Sequence, residues 1–94
     1  MQDNIVNTEN YITIPQTVAE ADISFGAKVL YGYIVQSKRK NWSLVTNKEL
    51  AKVMKVSERS IRRWLSELKK ENYIIAKDRD IQGVKTRTLY LKFY

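Results

Sequence analysis

The side chains best equipped to bind a partner in this 94-residue chain are Arg59, Ser60 and Arg63. A guanidinium is a planar fork of donors that pairs bidentately with a phosphate, a carboxylate or the O6/N7 edge of guanine. One good guanine pair contributes about 1–3 kcal/mol of discrimination. Arg62, on the flank of the same segment, suits a phosphate or an intramolecular ion pair. Asn47 and Lys48 open another segment, where free backbone N–H groups and a cation can hold a phosphate. Four further cations, Lys77, Arg79, Lys85 and Arg87, cluster near Gly83, interrupted by Asp78 and Asp80.

Catalysis has little to work with. The chain has no histidine and no cysteine, which removes the commonest general base, thiolate metal sites and disulfides together. Ser57 and Ser60 have no histidine to activate them. No glycine-rich phosphate loop occurs, and Asp78 and Asp80, a carboxylate pair alone, are weak evidence for a metal site. A binding protein without metal or cofactor is expected, not an enzyme.

The charge is uneven. Residues 1–37 hold one lysine against four acids, a net −3, whereas residues 38–94 hold 16 Lys and Arg against six acids, a net +10. A basic segment of this kind attracts polyanions and speeds association with them. Apolar residues form 44% of the chain, enough for one packed domain. No apolar run reaches the roughly 18 residues of a membrane span, and the first ten residues lack the pattern of a signal peptide. A cytoplasmic protein that leaves the membrane alone is expected.

The elements that must position these groups follow from periodicity. Residues 1–10 read as a flexible arm and 11–94 as one domain. Tyr11-Ile12-Thr13-Ile14 alternates and predicts a short strand, ended by Pro15, which can open a helical turn through Gln16–Ala19. Ser24 can cap a helix that carries Ala27, Leu30, Tyr31, Ile34 and Val35 at helical spacing and ends in Lys38-Arg39-Lys40, cations suited to the negative end of its dipole or to a phosphate. Leu44-Val45 offers another short strand. Thr46-Asn47-Lys48-Glu49 is a capping box for a helix to Met54.

After the tight link Lys55-Val56-Ser57, Ser57 caps a longer helix to about Glu71. Along it Ile61, Trp64, Leu65 and Leu68 share one apolar arc, while Arg59, Arg63, Ser66 and Lys70 point the opposite way. Ser57 and Lys70 therefore join the candidate contacts. Asn72 stops this helix. Tyr73–Lys77 and Thr86–Phe93 then read as strands joined by a long loop over residues 78–85.

Helix, short strand, short helix, tight turn, longer helix and hairpin is the order of an α+β winged helix-turn-helix, with a three-helix core and a C-terminal β-hairpin wing. In that arrangement the second helix of the pair enters the major groove while the first crosses the backbone. The run Leu44-Val45-Thr46-Asn47-Lys48-Glu49-Leu50-Ala51, continuing through Val56-Ser57 to Tyr73-Ile74, resembles the winged-helix core of phage and plasmid replication initiators (replisome organisers). The stretch Ile23-Ser24-Phe25-Gly26-Ala27 resembles their first helix, and with Tyr11–Pro15 the likeness spans residues 11–94. Members with replication roles usually carry a further C-terminal domain, whereas this chain stops at Tyr94.

The resemblance implies origin recognition on double-stranded DNA, with replication proteins as partners. The same framework resembles bacterial transcription regulators, so operator binding as a repressor stays open. So does a protein-interaction module, with Tyr11, Phe25, Trp42 or Phe93 as its surface. Trp42 could instead stack on an unpaired base, and Trp64 belongs to the core. A homodimer on two half-sites is expected because one small module rarely achieves specificity alone.

Overall fold

A computed structural model describes residues 12–39 and 46–92, apart from the side chains of Arg39, Arg79 and Ile81. The elements are α1 (Gln16–Ala19), α2 (Phe25–Arg39), α3 (Asn47–Met54), α4 (Glu58–Lys70), β1 (Ile74–Ile81) and β2 (Val84–Leu91). Among the described residues, four helices followed by an antiparallel hairpin form the α+β winged helix-turn-helix.

The helix starts are built by short polar side chains. Ser24 Oγ accepts from Ala27 N at 3.4 Å, and Lys28 N donates to Ser24 O, which opens α2. Thr46 Oγ1 accepts from Glu49 N at 3.1 Å and donates to Glu49 Oε1, also at 3.1 Å. The carboxylate half of the expected capping box thus runs through the Thr46 hydroxyl. Ser57 Oγ accepts from Ser60 N at 3.1 Å and caps α4. Each cap satisfies a donor that the helix itself leaves orphaned.

The stops depend on left-handed residues. Lys55 sits at φ 59°, ψ 45°, and Val56 N returns to Ala51 O, so α3 ends within one residue and the chain turns directly into α4. At the end of α4, Asn72 takes φ 63°, Asn72 N donates to Lys69 O and Tyr73 N to Leu68 O. This pair of bonds is a Schellman closure, and asparagine tolerates the left-handed region better than most residues. It aims β1 back along the helix.

Two expectations from sequence are corrected. Ile12–Ile14 forms no strand: among the described residues the sheet is only β1 and β2, so this segment has no ladder to join. Its isoleucines lie against α2, where Gly32 leaves room for Ile12 and Ile14. The long loop over residues 78–85 is also absent. The strands continue to Ile81 and from Val84, joined by Gln82-Gly83 with φ 52° and 83°. Two successive positive φ values make a two-residue type I′ turn, whose twist matches that of the strands, and glycine makes it inexpensive. Leu44-Val45 lies outside the described residues.

The core joins all the helices and the base of the hairpin. Val18 from α1, Leu30, Tyr31, Ile34 and Val35 from α2, Leu50 from α3, Ile61, Leu65 and Leu68 from α4, and Ile74 and Leu89 from the strands are buried together. Burying one large aliphatic side chain contributes roughly 1.5–3 kcal/mol. This shared core therefore sets where α4 stands relative to α2, α3 and the wing.

Candidate nucleic-acid interface

The interface starts from the division of α4 into two sides. Ile61, Leu65 and Leu68 are buried, while Glu58, Arg59, Arg62, Arg63, Ser66, Lys69 and Lys70 are exposed. Because apolar residues at helical spacing are committed to the core, the arginines between them are driven to solvent. Arg59, Arg62, Arg63 and Lys70 are thus displayed on one element, as their spacing anticipates. Lys69 belongs with them, and its place at the end of α4 beside Lys70 was the available signal. Ser57 and Ser60 stand at the same end as Arg59, but their hydroxyls bond each other at 3.1 Å, so capping already engages both.

Trp64 holds α4 at its angle. It is half-buried rather than fully enclosed, and its indole lies directly over Gly26 of α2. A second tie crosses the same interface. Glu67 accepts from Ser24 N at 2.9 Å and from Ser24 Oγ at 2.6 Å. These two bonds, opposed by partial burial and assisted by Arg63, hold its carboxyl below the ordinary carboxylate range. Glu67 therefore links the start of α2 to α4 one turn beyond Arg63. The contact with Ser24 spans 43 residues, so no local spacing reveals it.

The second region is an open cleft of about 770 Å³ between the hairpin and the starts of α3 and α4. Its charged lining consists of Lys48, Lys85 and Arg87 against Glu58, Asp78 and Asp80, three of each sign. Strand register explains the balance, since Asp78 faces Arg87 and Asp80 faces Lys85 across the ladder. Arg87 is half-buried, and its Nη1 donates to Asn47 Oδ1 at 2.8 Å. Burial pulls the Arg87 guanidinium down from its ordinary value, and Asp78 opposes that shift.

Asn47 and Arg87 therefore join α3 to the wing. Lys48 and Lys85 are exposed at the cleft rim. Lys77 is exposed, and its ammonium lies 5.6 Å from the centre of the Tyr90 ring. The Arg79 side chain is outside the description, as are Tyr11, Trp42 and Phe93. Phe25, the remaining residue of the protein-contact alternative, is 79% exposed.

A short capped helix, a turn closed by one left-handed residue, a second helix with its cations outward and a hairpin packed at its end define a winged helix-turn-helix module. A helix-turn-helix domain family matches residues 21–74, the whole span from α2 to the first residue of β1. The chain belongs to that family, and DNA binding is the general activity that membership supports. No curated protein matches the chain significantly. No helix among the described residues is long and apolar enough to cross a membrane.

Proposed function

We propose that this protein recognises a specific double-stranded DNA sequence, with α4 in the major groove and α3 bracing it against the backbone. The observation that carries this reading is the exposed row Arg59, Arg62 and Arg63 on a helix whose other side is locked into the core by Ile61, Leu65 and Leu68. A rigid mount matters because bidentate base contacts tolerate little angular error. Arg59 and Arg63 read base edges; Arg62, Lys48, Lys69 and Lys70 meet phosphates. The resemblance of residues 11–94 to phage and plasmid initiators supports an origin as the target. Paired half-sites bound by a homodimer, with other replication proteins recruited to them, complete the reading.

The test is anisotropy binding to a random duplex pool over a salt series, with sequencing of the retained DNA. An enriched motif with a slope implying about five or more neutralised phosphates is expected. Arg59→Ala and Arg63→Ala should each weaken binding to that motif by about 1–3 kcal/mol and relax one base position. Unchanged affinity and preference in both variants would remove α4 from the groove. The position of the enriched motif, within an origin or beside a promoter, separates initiation from repression.

A further inference from the structure

The hairpin has two faces of different electrical character. Register puts Ile74, Ala76, Asp78 and Asp80 on the same face as Leu91, Leu89, Arg87 and Lys85. Ile74 and Leu89 are buried, so this is the core side, and its distal charges oppose one another in pairs. Lys77 lies on the other face with Ile75, Thr88 and Tyr90. That face is open: Ile75 is 57% and Tyr90 39% exposed.

Two ammonium groups converge there on one ring. Lys77 Nζ lies 5.6 Å from the Tyr90 centroid, and Lys38 Nζ, from the last turn of α2, lies 5.8 Å from it. Both distances fall within the range of cation–π attraction. Neither ammonium has a carboxylate partner among the described residues. The acids nearest Lys77 in sequence, Asp78 and Asp80, are turned to the core side by the strand alternation. Two like charges thus meet one exposed aromatic ring, an arrangement that suits an anion shared between them.

We infer that Lys38, Lys77 and Tyr90 form a second nucleic-acid surface, which takes the phosphate backbone of a DNA segment other than the one on α4. The inference rests on the assignment of α4 to the first duplex. The start of α4 lies on the core side of the hairpin, where Glu58 lines the cleft with Asp78 and Arg87. On that reading a duplex seated on α4 meets the cleft side, whereas Tyr90 belongs to the opposite face of the ladder. A polyanion of high charge density suits the outer site because counterion release strengthens its binding to clustered lysines. The module would then hold two DNA segments together.

The experiment captures a second duplex. Protein is loaded on a bead-bound duplex, a fluorescent duplex is added, and retained fluorescence is measured against salt. Single-duplex anisotropy is run in parallel. Wild-type protein should retain the second duplex, with capture falling about 12-fold between 50 and 200 mM salt if two phosphates are neutralised. The Lys38→Gln/Lys77→Gln variant should bind the first duplex with unchanged sequence preference and lose capture at least about tenfold at 50 mM salt, as removing two phosphate contacts requires.

No capture by wild-type protein overturns the inference. Capture that survives the double variant also overturns it, and points to bridging by two α4 surfaces of a dimer. Capture of the second duplex abolished by an acidic peptide, without salt dependence, overturns it in favour of a protein partner. Loss of motif preference in the parallel anisotropy measurement would instead mark failure of the α4 reading.

Discussion

Gly26→Ala should destabilise this protein although it places a better helix former inside α2. Gly26 has no positive φ to demand glycine; its neighbour demands it. A Cβ built at this position lies 2.6 Å from Trp64 Nε1 and closer still to Cε2 and Cζ2. Non-bonded carbons settle at about 3.5–4.0 Å, so the ring must move by about 1 Å or more. Alanine gains about 1 kcal/mol of helix propensity. Overpacking costs about 1–3 kcal/mol, and pushing Trp64 off its seat forfeits part of the roughly 3–5 kcal/mol attached to a buried tryptophan. Trp64 is half-buried, so the lower part of that range applies.

The net expectation is a loss of about 1–2 kcal/mol, or roughly 5–15 °C in Tm for a domain of this size. Urea denaturation followed by far-ultraviolet circular dichroism measures it. The diagnostic control is the Trp64→Leu background, which removes the ring. There Gly26→Ala should change sign and stabilise by up to about 1 kcal/mol, the propensity gain alone. If Gly26→Ala is neutral or stabilising in the wild-type background, the close packing of α4 on α2 through Trp64 is wrong. Equal effects in both backgrounds would refute it as well, because the cycle would show no coupling between the two positions.

Two further outcomes follow from local geometry. Glu67 is held below its ordinary value of 4.5 by its bonds to Ser24, so its contribution is fully present above the unfolded value and is lost as pH falls through the lower folded one. Wild-type Tm should therefore drop more steeply below pH 4.5 than that of Glu67→Ala, which should be less stable at pH 7 by about 1–2 kcal/mol; parallel pH profiles would disprove the Ser24 link. Lys55 occupies the left-handed region at φ 59°, a conformation that costs a side-chain-bearing residue about 1–2 kcal/mol. Lys55→Gly should raise the denaturation midpoint by up to about 1 kcal/mol without altering sequence preference, and a lower midpoint would count against that turn geometry.

The sequence was sufficient wherever a short-range rule acts. Thr46 and Ser57 cap helices because their hydroxyls reach a donor three residues on, and that separation is visible in a string. Ile61, Leu65 and Leu68 declare the buried side of α4 by spacing alone, and the same spacing turns Arg59 and Arg63 to solvent. The tight link at Lys55–Ser57 and the stop at Asn72 were equally legible.

Tertiary structure decided what depends on partners distant in the chain. Tyr11–Ile14 alternates like a strand, yet alternation cannot supply a ladder, and Ile12 and Ile14 settle on Gly32 instead. Charged residues 78–85 read as a loop because strand propensity ignores a partner; opposite charges facing across the register allow them to be strand. The mutual bond of Asn47 and Arg87 spans 40 residues and that of Glu67 and Ser24 spans 43. The convergence of Lys38 and Lys77 on Tyr90 also needs three elements in place. Local spacing thus determined the helices and which of their sides carry charge. Only packing determined which charges are neutralised within the fold and which remain open to a partner, because that depends on distances between segments that sequence separation does not encode.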